Sequence, residues 1–356
     1  MALDLSADLL ALTRAVVDVP SVSGDEAALA DLVEAALRGC PHLRVDRDGD
    51  TVVARTQLGR DRRVVVAGHL DTVPIAGNVP SHVEGDVVWG RGTVDMKAGV
   101  AVMLSLAAEL RAPTVDVTWV FYDHEEVAAE LNGLGRVATA HPDWLAADFA
   151  VLGEPTDGGV EGGCNGTLRA EVVVTGVAAH SARAWTGVNA VHKAGEVLRR
   201  LDAYRPATIT VDGLDYREGL NAVLVSGGTA GNVIPDRCVV TVNYRFAPSR
   251  SVEEATAHVR EVLAGFDVTV VDAAAGARPG LDDPSARGFV DAVLGATGRA
   301  PVAKLGWTDV ARFAALGIPA VNFGPGDPLL AHTAGERCPV AQIVQVHAAL
   351  LAWLTA

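Results

Sequence analysis

Four short apolar runs in this chain of 356 residues each lead to residues able to bind a metal ion. Val64-Val65-Val66-Ala67 runs into Gly68-His69-Leu70-Asp71, and Thr118-Trp119-Val120-Phe121-Tyr122 into Asp123-His124-Glu125-Glu126. Ala150-Val151-Leu152 runs into Gly153-Glu154, and residues 319–323 lead through a Gly/Pro loop to His332. Uninterrupted apolar runs are expected of strands buried on both faces of an α/β sheet. Ligands of such sheets bind outside the carboxyl ends of the strands. Acids or imidazoles at four such ends, with Asp95 opening a helical pattern, therefore point into one crevice. Singly, each has an ordinary alternative: Asp95 as a helix cap, Glu125-Glu126 as a solvated pair. Together they do not, because converging carboxylates raise one another's pKa unless a cation lies among them. Imidazole and carboxylate without thiolate suit zinc, or cobalt or manganese in its place. Two such ions sharing a bridging carboxylate bind a water and polarise a carbonyl, the chemistry of amide, ester or phosphate hydrolysis.

The elements that must position these residues follow from hydrophobic periodicity. Helices are predicted over 5–17, 26–37, 96–110 and 131–140, and buried strands over 63–68, 115–122 and 148–152. This alternation predicts an open α/β sheet. The pattern changes near Asn165. Residues 167–176 and 237–246 alternate apolar and polar positions, as strands with one wet face do, and amphipathic helices are predicted over 187–201 and 251–264. Strands then helix, twice, predict a smaller α+β domain at 165–275, inserted into a discontinuous domain of 1–164 and 276–356. Charge supports the division: residues 165–275 carry a net −1 of the chain's −15. After residue 280 the α/β rhythm returns, with 300–305, a helix over 309–316 and a strand over 319–323.

Composition excludes several classes. An apolar fraction of 49% and a charged fraction of 21% belong to a core-forming chain, not a disordered one. A net charge of −15 argues against a nucleic-acid surface. The longest strongly apolar run, residues 98–108, is too short to span a bilayer, and the acidic first residues do not resemble a signal peptide. A cytoplasmic protein is expected. Cys40, Cys164, Cys238 and Cys338 form no Cys-x-x-Cys pair, so neither a disulfide framework nor a thiolate zinc site is expected.

The motifs Gly68-His69-Leu70-Asp71-Thr72-Val73-Pro74, Gly90-Arg91-Gly92-Thr93-Val94-Asp95-Met96-Lys97, His124-Glu125-Glu126, Gly153-Glu154-Pro155-Thr156 and Ala331-His332-Thr333 closely resemble those of the dinuclear-zinc deacylase and carboxypeptidase family. The likeness runs from about residue 10 to the C-terminus in the same order. It implies a zinc-peptidase-like domain with a mixed open sheet, plus an inserted α+β lid through which two chains form a homodimer. It implies that Asp95 bridges two zinc ions, that His69 and Glu154 bind one, and that Glu126 and His332 bind the other. Glu125 is implied as the general base and Asp71 as the group orienting His69, with a cis peptide after Asp95. Gly176-Val177-Ala178-Ala179-His180-Ser181-Ala182-Arg183 resembles the lid motif whose histidine reaches across the dimer to the developing oxyanion. Asn232, Arg183 and Arg245 are implied substrate contacts, as are Thr308 and Gly324. Arg245 suits a bidentate grip on a carboxylate.

Within the family, the segments 68–80, 185–190 and 305–313 are most similar to succinyl-diaminopimelate desuccinylases of actinobacterial type. The implied substrate is a small N-acyl diamino acid with carboxylates at both ends, which would employ several arginines. Acetylornithine deacetylase, or another N-acyl amino acid deacylase, is the alternative. The loop Thr333-Ala334-Gly335-Glu336 departs from the more charged loop usual there. A non-catalytic binding protein on the same fold would have lost Glu125 or a ligand, and neither is lost. A phosphate site is raised only by the Gly90-x-Gly92 pair, a weak signal without a third glycine after a strand.

Overall fold

The computed structural model describes residues 2–295 and 297–356, in two compact units. The first comprises the chain up to Gly162, Pro279–Val302 and Arg312–Ala356. The second comprises Gly163–Arg278 and Ala303–Ala311. Relative to the expected 165–275, the second unit thus gains a few residues at each end and a separate segment. That segment is held by backbone and side-chain bonds: the Asn165 amide donates to the Lys304 carbonyl at 3.2 Å, and its Nδ2 to the Leu305 carbonyl at 3.1 Å.

A mixed eight-stranded sheet forms the core of the first unit. In chain order its strands are β1 (Arg44–Asp48), β2 (Thr51–Arg55), β3 (Arg63–His69), β4 (Asp116–Tyr122), β5 (Phe149–Leu152), β6 (Glu161–Gly162), β7 (Val302–Ala303) and β8 (Ala320–Asn322). They lie in the order β1-β2-β4-β3-β5-β8-β6-β7. The four central strands, β4, β3, β5 and β8, are mutually parallel, so their carboxyl ends share one edge. Their side chains are buried almost throughout, as apolar runs covered on both faces require. Helix Lys97–Glu109 packs into this core with Val100, Val102, Met103 and Leu106 all buried. Its apolar residues face every direction because the sheet lies on one side and other helices on the rest.

The helical ends follow local chemistry. Helix Leu9–Val17 begins four residues later than its periodicity suggests, because the Asp8 carboxylate caps it by accepting the Ala11 amide at 2.9 Å. Of residues 300–305, Val302–Ala303 form a strand, and residues 303–305 belong to the second unit.

In the second unit, four antiparallel strands lie in the order Gly219–Gly227, Arg237–Phe246, Gly166–Thr175, Asp267–Ala274. Alternate residues Leu168, Ala170, Val172 and Val174 face a small core with Val240, Val242, Tyr244 and Phe246. Helix Ala190–Ala203 covers it through Ala190, Ala194 and Val197, one helical stripe. Helix Val252–Val262 covers it through Ala255 and Val259. Its first turn is closed by a capping box between Ser251 and Glu254. Strand Gly219–Gly227 stands at the sheet edge with Val223, Leu224 and Val225 exposed.

Candidate active site

The parallel strands deliver their terminal residues to one place in the first unit. His69 ends β3 and is fully buried; Glu126 follows β4, Glu154 follows β5, and His332 lies beyond β8. Asp95 precedes helix Lys97–Glu109, across a cis Asp95–Met96 peptide as the family likeness implies. Its two carboxylate oxygens face different histidines. Oδ1 lies 3.1 Å from His69 Nε2, and Oδ2 lies 3.2 Å from His332 Nε2. His69 Nε2 is also 4.0 Å from Glu154 Oε1, and His332 Nε2 is 3.0 Å from Glu126 Oε1. Ligand atoms of His69, Asp95 and Glu126 all lie within 4.8 Å of one another.

These residues fit divalent cations on their own chemistry. The Asp71 carbonyl lies 2.9 Å from His69 Nδ1, which places a proton on Nδ1 and leaves Nε2 facing a carboxylate oxygen. Lone pair would oppose lone pair unless a proton or a cation lay between. Burial works against charging His69, yet Asp71 and Asp95 hold its pKa well above the usual imidazole value. Asp95 and Glu126 push His332 up to about 10. Burial raises Glu126. Carboxylates this crowded demand positive charge, which a divalent metal ion would supply.

Asp71 ties the two halves of the arrangement together. Burial would raise its pKa, but His69 and the donors around it hold it at about 2. Its Oδ1 and Oδ2 each accept a backbone N–H, from Glu125 and Glu126 respectively, both at 3.0 Å. The Ser23 hydroxyl donates to Oδ2 at 2.7 Å. The turn carrying Glu125 is pinned further by Glu26, which accepts the His124 amide at 3.2 Å, and by Arg136, which donates to Asp123 at 2.8 Å. His124 adopts φ 58°, so the chain turns sharply enough to present Glu125 and Glu126 in succession.

Gly324 lies in the first unit, where a Cβ would come within 2.2 Å of the Gly153 carbonyl oxygen and 2.5 Å of that of Glu154. Only glycine permits that approach, so Gly324 backs the turn bearing Glu154. His180, Arg183, Asn232, Arg245 and Thr308 belong to the second unit. His180 and Asn232 are exposed neighbours: the Ser181 amide donates to the Asn232 carbonyl at 2.9 Å. Arg183 is exposed beside them, Arg245 lies on strand Arg237–Phe246, and Thr308 is buried. Arg312 is occupied in the first unit, donating to the Ala129 carbonyl at 3.0 Å, and holds the loop after Glu126.

No motif assigns a role to Ser23, Glu26 or Glu336. Ser23 and Glu26 precede the motifs and carry no spacing signal. Glu336 stands only four residues beyond His332, which was the available clue. The Gly90-x-Gly92 turn, a weak phosphate signal, is filled by the Glu336 carboxylate.

Residues 65–356 match the model of peptidase family M20/M25/M40. A Corynebacterium glutamicum succinyl-diaminopimelate desuccinylase is 50% identical over 364 residues, covering 99% of this chain and 98% of that protein. A Mycobacterium tuberculosis protein provisionally named as the same enzyme is 57% identical over 344 residues, 96% of each chain. The crystal structure of a Staphylococcus aureus tripeptidase shares the fold, with a TM-score of 0.80 at 20% identity over 99% of this chain and 98% of that one. By its motifs, its full-length relatives and its fold, this chain belongs to peptidase family M20/M25/M40.

Proposed function

We propose that this chain is a dinuclear-zinc amide hydrolase that removes the succinyl group from N-succinyl-LL-2,6-diaminopimelate, giving succinate and LL-2,6-diaminopimelate. The observation that carries the two-ion reading is the split of Asp95, one oxygen toward His69 and the other toward His332. The acyl group rests on the two actinobacterial relatives, 57% and 50% identical along nearly their whole length. His69 and Glu154 would hold one ion, Glu126 and His332 the other, and Asp95 both. When bound, the ions supply a Lewis acid for the amide carbonyl and lower the pKa of water.

The chain's own residues do the rest. Glu125 takes a proton from the attacking water and returns it to the departing amine, so the C–N bond breaks without expelling an amide anion. His180 donates from Nε2 to the carbonyl oxygen as negative charge develops there. Arg245, Arg183 and Asn232 grip the substrate's carboxylates, and Thr308 and Gly324 border the substrate. Two chains pair through the second unit. Its edge strand Gly219–Gly227 offers unpaired backbone and the exposed Val223, Leu224 and Val225, and helix Ala190–Ala203 adds Val191 and Leu198.

Two experiments test this reading. Zinc titration of metal-free protein should saturate at two equivalents, with activity recovering as the second fills. A plateau at zero, or full activity in excess chelator, removes the metal mechanism. Zinc-loaded enzyme should then prefer N-succinyl over N-acetyl diamino acids in kcat/KM. Replacing Arg245 with Ala should raise KM chiefly, by roughly 10-fold or more, as loss of a charge-assisted hydrogen bond does. Preference for N-acetylornithine would instead establish the alternative deacylase.

A further inference from the structure

The turn before Asp95 is built around a buried carboxylate that has no place in the mechanism above. Glu336 is 1% exposed, and its Oε1 accepts the backbone N–H groups of Gly92, Val94 and Asp95 at 2.9, 2.9 and 3.1 Å. Its Oε2 accepts from Arg91 Nη1 at 2.7 Å, with both side chains buried. Converging amides of this kind form an anion-binding nest, commonly filled by phosphate. Here the anion comes from the chain itself, more than 240 residues away. Gly92 makes the nest possible: its φ of +87° suits glycine, and a Cβ would press on Lys97 and Thr72.

Both ends of this contact carry proposed metal-binding residues. The amide of Asp95 is bonded to Glu336 directly. Four residues before Glu336, His332 sits in the left-handed region at φ 63°. Arg91 fastens the same return loop by donating to the Thr333 carbonyl at 3.2 Å, and it reaches the Pro74 carbonyl at 3.2 Å. The Gly90 amide donates to the Glu336 carbonyl at 3.1 Å. One buried ion pair thus fastens the backbone that aims Asp95 to the backbone that aims His332. Those side chains meet at 3.2 Å, a separation the sequence itself does nothing to enforce.

We propose that Glu336, locked by Arg91, is a positioning residue that holds Asp95 and His332 at the spacing a shared metal ion requires. This rests on the reading of Asp95 and His332 as ligands. The Glu336 oxygens are taken up by Arg91 and three backbone amides, so its removal should act through metal affinity and turnover, not through substrate binding.

The test measures zinc affinity by competition with a chromophoric chelator, the absorption spectrum of the cobalt-loaded protein, kcat and KM. Variants Glu336→Gln and Arg91→Lys are compared with wild type and with His332→Ala, all checked for fold by circular dichroism. Glu336→Gln should bind at least one ion roughly 10–100-fold more weakly, the usual effect of loosening a ligand's support, with an altered cobalt spectrum. Its kcat should fall while KM stays unchanged. Arg91→Lys keeps the charge but loses the fork, and should show a smaller shift in the same direction. Folded variants that bind both ions with wild-type affinity, while His332→Ala loses one, overturn the proposal and leave the ligand assignment standing. Retention of both ions by His332→Ala overturns the assignment and the proposal with it. If Glu336→Gln does not fold, Arg91→Lys decides alone, and wild-type metal affinity there overturns the proposal.

Discussion

Glu125→Gln should lower kcat by at least roughly 10²-fold, the lower end of what a positioned general base contributes, while two zinc ions remain bound. The substitution keeps the shape of the side chain and removes its basicity. The backbone bonds that fix the turn remain, because Asp71 holds Glu125 and Glu126 by their N–H groups, each at 3.0 Å. KM should change little, since the base acts on a proton in flight and not on the resting substrate. Glu126→Gln supplies the contrast. Glu126 Oε1 lies 3.0 Å from His332 Nε2, so that variant should lose metal first and activity as a consequence. Zinc content and kcat measured on both variants separate the roles. Near-normal kcat in Glu125→Gln, with full zinc in Glu126→Gln, would show that the two residues have been misassigned.

His180→Ala should lower kcat by roughly 10²–10³, the loss expected for a donor aimed at an oxyanion. His180 is exposed, and its Nδ1 accepts the Ala182 amide at 3.0 Å. In the neutral ring that bond leaves the proton on Nε2, which makes the outward edge of the imidazole a donor. Metal content should be untouched, because every proposed ligand lies in the other unit. The proposed dimer places this donor in the partner's site, and complementation tests that placement. His180→Ala chains mixed with Glu125→Gln chains form mixed dimers in which one site has both residues intact. Activity should rise above that of either parent as subunits exchange. A mixture that stays inactive after exchange is confirmed refutes action across the dimer. Leu224→Lys, on the exposed edge strand, should yield monomers that bind zinc yet turn over slowly, and sedimentation would measure the first half of that statement.

Local sequence determined what each strand end carries. A short β-branched run such as Val64-Val65-Val66 suits a buried strand in a sheet covered on both faces, and the residues after such a strand emerge at the carboxyl edge. His69, Glu154, His332 and the segment 123–126 were therefore legible as strand-end residues, while the choice of Glu126 within that segment came from the family likeness. The strand Arg237–Phe246 was legible to the residue, because alternation and burial follow period two. Edge strand Gly219–Gly227 was not legible: Val223, Leu224 and Val225 face solvent, so no half-buried pattern marks them. The strand Arg44–Asp48 was hidden likewise, its sequence being mostly charged.

Distance in the chain sets the remaining limit. Which oxygen of Asp95 faces which histidine depends on how β3, β4, β5 and β8 are ordered side by side, and no local propensity encodes that order. The same holds for Glu336, whose four donors lie more than 240 residues before it, and for Ala303–Ala311, which Asn165 draws into the second unit. Hydrophobic periodicity is a property of neighbours along the chain and fixes elements and faces. Pairing between distant polar groups is chosen only when packing has removed water and left each buried donor and acceptor to find its partner.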